Sequence, residues 1–352
     1  MTSQQKATGG AVTIRYARDE DAPAWDAFVF AAPDATFFHR FGWRGIFRDI
    51  FRLDTHYLIA ERDRTITGVL PIVHQQTLFF GNTLSSIPFC AEGGPVAVDI
   101  ESRALLDEAA IGLMCTLKAQ SLEFRSHTSS RKGWTVKSGL YATFARDLSP
   151  DAEENLRAIP RKQRAVVRKT LQGGLSSRID DNVDALFPIY SESVRNLGTP
   201  VFSKRYFAAL LATFGPDCDI VVVSQGAEPL SAVMNFYFRD TVMPYYGGGR
   251  SAARRNGAND FLYWEVMRRS AARGYRRFDF GRSKAETGAF AFKKNWGFEP
   301  QWLHYEYYLP PGAAMPEKNP NNPKYATLIA LWKHLPLPLA NLIGPFLVRG
   351  LG

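Results

Sequence analysis

The run Phe278-Asp279-Phe280-Gly281-Arg282-Ser283, with Phe290-Ala291-Phe292-Lys293-Lys294-Asn295-Trp296-Gly297-Phe298 close behind it, is the most specific pattern in this chain of 352 residues. Residues 277–280 read as a strand, and Lys293 falls on the helix that follows. Adjacent side chains on a helix diverge by about 100°, so Lys293 and Lys294 face different surroundings. Working upstream, a helix is predicted over 260–273, after strands at 220–224, 230–238 and 241–246. Gly226 and the Arg239-Asp240 pair punctuate those strands. Helices over 160–171, 183–197 and 204–214 come first, and a strand over 302–309 comes last. Helices and strands in this order make an α/β unit.

The first part of the chain carries a weaker version of the same order, without a repeat at the level of sequence. A strand at 12–16 precedes helices at 25–30 and 43–51, the first capped by Asp19 or Asp21. Strands at 56–61 and 66–74 turn through Asp63-Arg64, and a helix over 102–119 leads to strands at 122–125 and 141–147. The length suits two domains of roughly 150 residues each, placed at 1–148 and 149–309. Residues 310–323 are rich in Pro and Asn and read as a linker; 325–351 form an apolar arm broken by Pro336, Pro338 and Pro345.

The balance of 43 Lys and Arg against 34 Asp and Glu gives a net charge of +9. That favours anionic partners: phosphates, nucleotides, tRNA or an anionic membrane surface. Three cysteines, Cys90, Cys115 and Cys218, show no CxxC spacing, which argues against a disulfide framework and fits a reducing cytoplasm. Each lies in an apolar run, so buried thiols are expected. Residues 1–10 are polar, and no uninterrupted apolar stretch of spanning length occurs; neither a signal peptide nor a transmembrane helix is expected. The six histidines are scattered and no HExxH motif occurs, so no metal site is expected. Asp279-Phe280-Gly281 has no HRD loop or glycine-rich phosphate loop beside it and is not read as a kinase magnesium site.

Two further runs carry candidate chemistry. Arg161, Arg164 and Arg168 share one face of a helix that begins at Pro160, with Lys162 beside them. Cations at a helix N-terminus oppose its dipole, a conflict that a bound phosphate would remove. The alternative is a solvated basic face paired with Glu153 and Glu154. Tyr245-Tyr246-Gly247-Gly248-Gly249-Arg250 ends a strand in glycines that let a backbone approach a ligand, and Arg254-Arg255-Asn256-Gly257-Ala258-Asn259 precedes a helix.

On these residues, and on the Gly198-Thr199-Pro200 turn before Tyr206-Phe207, the chain resembles the Fem-type aminoacyl transferases and the related BioF-like acetyltransferase domain. That group carries a DFG-like strand end and an F-K-x-x-W/F-G motif on the next helix. In the first domain the resemblance rests on His39 and Trp43, and the tail from Leu331 to Pro345 resembles the Fem-related subgroup of PEP-CTERM and exosortase systems. The resemblance implies tandem GNAT-like α/β domains with a cleft between them and an apolar C-terminal arm. It implies transfer of an acyl or aminoacyl group from acyl-CoA or aminoacyl-tRNA, with no tightly bound cofactor. The acceptor is an amino or hydroxyl group on a cell-envelope or exopolysaccharide precursor. The family's lysine, which stabilises the charge developing on a carbonyl, falls on Lys293, with Phe292 packing beside it. Asp279 fixes the strand end or acts as a base. An anionic sugar-phosphate or nucleotide-sugar is held by Arg161, Lys162, Arg164 and Arg168, with Tyr245, Tyr246, Arg282, His39 and Trp43 lining the cleft. Arg250, Arg254 and Gly257 match, in degenerate form, the GNAT turn that holds the coenzyme A pyrophosphate.

Leu328, Leu331, Trp332 and Leu335 share a helical face in the arm. The arm either lies in the headgroup plane of an anionic membrane, which places the protein on the cytoplasmic side of the inner membrane, or packs on its own domain or a partner. A non-catalytic tRNA- or nucleic-acid-binding protein, or an adaptor in an export system, is the alternative to an enzyme. The basic runs lack the interleaved aromatics that nucleic-acid binding favours.

Overall fold

The computed structural model describes residues 10–77, 81–128, 131–313, 315 and 323–350, with the side chains of 323–326 excepted. Residues 1–9 and most of the expected linker, 314 and 316–322, lie outside the described residues. Along the chain run β1 (Thr13–Tyr16), α1 (Ala22–Ala31), α2 (Gly42–Gly45), β2 (Asp54–Arg62), β3 (Thr65–Thr77), β4 (Gly81–Ser85), β5 (Val96–Ala97), α3 (Ile100–Thr116), β6 (Leu122–Ser126) and β7 (Thr135–Lys137). Then come β8 (Tyr141–Thr143), β9 (Ala145–Asp147), α4 (Ala152–Ala158), α5 (Arg161–Leu171), β10 (Leu175–Asp180), α6 (Leu186–Leu197), α7 (Lys204–Phe214), β11 (Cys218–Gln225), β12 (Glu228–Phe238) and β13 (Thr241–Gly249). The remainder is α8 (Ser251–Asn256), α9 (Ala258–Ala272), β14 (Arg277–Asp279), β15 (Ser283–Lys284), α10 (Gly288–Asn295), β16 (Gln301–Trp302), β17 (His304–Tyr308), α11 (Pro323–His334) and α12 (Leu337–Val348).

These elements form two units, residues 1–136 with 305–316, and 137–304 with 317–352. The division is not a single cut at 148 and 309, for two reasons of strand pairing. β9 pairs with β14 in the second unit, and β17 lies between β6 and β7 in the sheet of the first.

In the first unit the sheet runs β1-β2-β3-β4-β6-β17-β7, with β5 on β3. Its core joins Leu58, Leu70 and Leu84 to Leu106 and Leu113 of α3. Asp63 and Arg64 turn the β2–β3 hairpin with φ of 51° and 63°, a backbone shape that twists with the strands. Asp21 does not cap α1: Arg15 takes its carboxylate through two contacts of 2.8 Å, and the Arg18 amide donates to it at 2.7 Å. Cys90 and Cys218 are buried, whereas Cys115 is exposed because it lies on the outer face of α3.

The second unit is built on the sheet β10-β11-β12-β13-β14-β9, antiparallel except for β13 and β14. β10, an edge strand of alternating polar residues, is one the apolar pattern does not signal. Residues 141–147 are two strands in two sheets: β8 joins β15 and β16, and β9 joins β14. The Gly-Arg stretch after β13 contains α8, with Arg254 and Arg255 in its last turn, where cations favour a helix.

Candidate active site

β13 carries a bulge. Met234 pairs with Tyr246 and Asn235 with Pro244, which leaves Tyr245 as the extra residue. A bulge bends its strand and re-aims a side chain. β13 and β14 pair only at Thr241–Arg277 and Val242–Phe278, although β13 continues to Gly249. The Tyr245 ring comes to rest against Gly281, 3.4 Å from where a Cβ would stand. Tyr246 faces the opposite way, as alternation along a strand requires. It is buried, its hydroxyl 2.7 Å from that of Tyr206 and its ring among Tyr190, Phe202 and Phe207. Tyr246 is a core residue, a correction to its expected place in a cleft wall.

Beside Gly281 lies Lys293. Thr287 caps α10, its hydroxyl accepting from the Phe290 amide, and the helix turns Lys293 inward to 8% exposure while Lys294 stays exposed. The Lys293 ammonium donates to the Gly281 carbonyl at 2.8 Å and to the Arg282 carbonyl at 3.3 Å. The rings of Phe144 and Phe280 lie 5.4 and 6.0 Å from its nitrogen. Burial disfavours the charged form, and the nearby Arg282 adds to that; Asp279 opposes both in part. The amine is brought down from 10.5 to about 7. An ammonium has three N–H donors, and the two carbonyls occupy two.

The turn that supplies those carbonyls is fixed by the DFG-like run. Asp279 accepts the Gly281 amide at 2.8 Å, and Gly281 has φ of +67°, a shape that costs a residue with a Cβ. Phe280 donates its amide to the Phe144 carbonyl at 2.8 Å. Asp279 therefore shapes the turn and lends its charge to Lys293. Arg282 stacks its guanidinium on Tyr141 at 4.8 Å, and Phe292 packs against Tyr263, Phe280 and Trp296.

The rest of the Phe-Lys motif locks α10 in place. Trp296 is fully buried and its indole N–H meets Asp260 at 3.3 Å. Asp260 also accepts from Gln163 on α5, and burial raises its pKa. Gly297, at φ +81°, lies where a Cβ would come within 2.9 Å of Pro160. The N-terminus of α5 is thus seated directly on the turn after Lys293. Asp260, Gln163 and Phe144 were not singled out in the sequence; the only cue was Asp260 as the acid in the first turn of α9.

On α5, Arg161, Lys162 and Arg168 are exposed, and Arg164, half-buried, donates to the Arg157 carbonyl at 2.8 Å. Glu154 bonds Ser149 instead of these cations, so the alternative reading of a face paired with Glu154 does not hold there. The glycines of 247–249 have a different use from the one expected. A Cβ at Gly248 would meet Tyr190 and Ser193 of α6, and Cβ atoms at Gly247 and Gly249 would meet Tyr263 and Asn259 of α9. They let two helices close on the strand from opposite faces. Gly257, at φ +66°, ends α8 against Thr170 of α5, while Arg250 lies 3.9 Å from Glu228.

His39 and Trp43 belong to the first unit. His39 is buried, its Nδ1 accepting the Thr36 amide at 3.0 Å and its Nε2 3.2 Å from the Gly94 carbonyl. It lines a cavity of about 340 Å³ with Gly94, Arg103, Arg125 and Arg131 among others. Trp43 is a core residue, stacked on Phe47 with its indole N–H on the Phe37 carbonyl.

Residues 155–294, which run from α4 through Lys293, match the family model of the acetyltransferase (GNAT) domain. Crystallised FemX is similar in structure, with a TM-score of 0.66 at 15% identity over 90% of this chain and 100% of FemX. A tandem GNAT protein from the clavulanic acid biosynthesis pathway scores 0.55 at 10% identity, covering 85% of this chain and 98% of its own. This is a tandem GNAT fold. A third likeness is to the C-terminal domain (DUF2156) of a putative lysylphosphatidylglycerol synthetase from Agrobacterium fabrum. It scores 0.54 at 16% identity over 81% of this chain and 91% of that one. No curated protein matches in sequence. At such identities these likenesses speak for the GNAT architecture alone. The domain match supports an acyltransferase.

Proposed function

We propose that the second unit transfers an acyl group from acyl-CoA, the co-substrate of GNAT domains, to an amino or hydroxyl group of a sugar-containing cell-envelope or exopolysaccharide precursor. The observation that carries this reading is the Lys293 amine, buried beside the strand bulge at Tyr245 with two of its N–H groups on fixed carbonyls. Its third N–H meets the acyl oxygen as that oxygen becomes negative. An ammonium in so dry a setting stabilises an oxyanion far better than water does. The acceptor's lone pair attacks the acyl carbon; the C–N or C–O bond forms, the C–S bond breaks, and coenzyme A leaves as the thiolate, which takes up the proton lost by the acceptor. No covalent enzyme intermediate is required, so kinetics are sequential. Arg161, Arg164 and Arg168 on α5 hold the donor's phosphates or those of a nucleotide-sugar acceptor.

The resemblance of the Phe292-to-Gly297 motif to the Fem-type transferases is the ground for an envelope acceptor, and aminoacyl-tRNA is the other phosphate-bearing donor to include in the assay. The test is donor turnover by the full chain with acyl-CoA and with aminoacyl-tRNA in parallel, alongside Lys293→Ala. The reading expects turnover of one donor and its loss in the variant with the fold intact. Equal turnover by the variant contradicts it.

A further inference from the structure

α11 and α12 are inverted with respect to ordinary surface helices. α12 turns its small residues inward: Ala340, Gly344 and Val348, four apart, are buried. A Cβ on Gly344 would stand 2.9 Å from the backbone nitrogen and oxygen of Val201. Its large apolar residues, Leu339, Leu342, Ile343, Phe346 and Leu347, point to solvent at spacings of three and four, and Phe346 is 71% exposed. That spacing makes the apolar stripe a helix normally buries. On α11, Leu328 and Leu331 extend the surface at 62% and 63% exposure. The expected face of the arm divides: Trp332 turns to the domain and donates to the Thr199 carbonyl at 3.1 Å, while Leu328 and Leu331 do not.

This exposure is held in place by the fold. Arg195 of α6 donates to the carbonyls of Lys333 and Leu335 at 3.4 and 2.9 Å, closing the end of α11. Ile329 sits under Gly198, whose φ of +84° ends α6. Both helices rest on α6. Large apolar side chains gathered on the outward face of helices that pack on the domain mark an interaction surface.

The charge of the same segment selects the occupant. Residues 323–352 contain Lys324, Lys333, His334 and Arg349 and no Asp or Glu. A second copy packed face to face would bring the same cations against themselves, since a two-fold interface pairs a patch with its own image. A bilayer bearing anionic phospholipids offers hydrocarbon to the stripe and phosphate to the rim. Among the described residues no helix is long and apolar enough to cross a membrane. We propose that α11 and α12 dock the protein on the surface of an anionic bilayer, lying in the headgroup plane with Leu328, Leu331, Leu342, Ile343 and Phe346 inserted. This surface stands independently of the acyl-transfer reading.

The experiment is co-sedimentation of the full chain with phosphatidylcholine vesicles, alone and with added phosphatidylglycerol. The same assay is run on Leu342→Glu/Phe346→Glu and on Leu328→Glu/Leu331→Glu, with circular dichroism to verify folding. All four side chains face solvent, so the variants keep their fold; should one helix be disturbed, the other pair stands as the test. The expected result is binding to the anionic vesicles, weaker binding to phosphatidylcholine, and affinity lower by about tenfold or more in both variants. Wild-type protein that stays in the supernatant, or variants that bind equally well, would overturn the proposal. Self-association without lipid, abolished by the same variants and unaccompanied by vesicle binding, would overturn it in favour of an interface between copies.

Discussion

Each unit buries cations, and treats them in opposite ways. In the first, Arg125 is 2.5 Å from Glu123 and lies over the Tyr305 ring. Burial, the largest single influence, would lower its pKa, but Glu123 together with Tyr305 and Tyr307 outweighs that and keeps it above the usual arginine range. Arg131 is likewise clasped by Asp107 at 2.8 Å and by the fully buried Glu306 at 2.5 Å. In the second unit, Lys293 meets carbonyl dipoles through its N–H groups, and its affinity for a proton falls. A buried cation closed by carboxylates is finished structure. One held by carbonyls, with a donor to spare, is what the proposed acyl transfer would use.

The contrast can be broken experimentally. The largest effect is expected from Arg131→Ala, which removes the guanidinium that faces the buried Glu306 carboxylate and costs the first unit about 3–5 kcal/mol, read from urea denaturation. Lys293→Ala should lower turnover roughly 10²- to 10³-fold without such a loss of stability. Lys293→Met sharpens the point. Because burial lowers the folded-state pKa to about 7, the folded protein binds fewer protons than the unfolded chain between about 7 and 10.5. Wild-type stability relative to the methionine variant should therefore rise with pH across that window, and below it the methionine variant should melt at the higher temperature. Gly281→Ala places a Cβ at φ +67° against Tyr245. It should cost about 1–2 kcal/mol and reduce turnover by displacing the carbonyl that holds Lys293, with calorimetry and rate measured together. Smallest is Arg161→Ala, where an exposed side chain should change donor affinity by roughly tenfold or less, with the difference shrinking as salt is added.

The fold was legible wherever apolar period and turn residues agreed, as in β2 and β3 around Asp63-Arg64, or in α9. It was illegible where an element lacks an apolar face: β10 is a polar edge strand, and α8 is a short basic helix inside a glycine-rich stretch. The site divides along the same line. Lys293, Trp296 and Gly297 are residues of the motif and could be read from it as candidates. The cage around Lys293 is made of backbone carbonyls, which leave no mark in composition, and the bulge at Tyr245 is a matter of register between strands. Gly247, Gly248 and Gly249, read in sequence as a ligand-approach motif, also serve helix packing, which the sequence pattern does not signal.

The central claim concerns the protonation of one amine. Titration of the Lys293 side-chain nitrogen by heteronuclear NMR, with Lys293→Arg to assign the signal, tests it directly. A midpoint near 7 is expected, where the ammonium is poised between charged and neutral; a midpoint close to the ordinary lysine value of 10.5 would mean that water or the Asp279 charge fully offsets its burial, and the contrast drawn with the carboxylate-clasped arginines would fall.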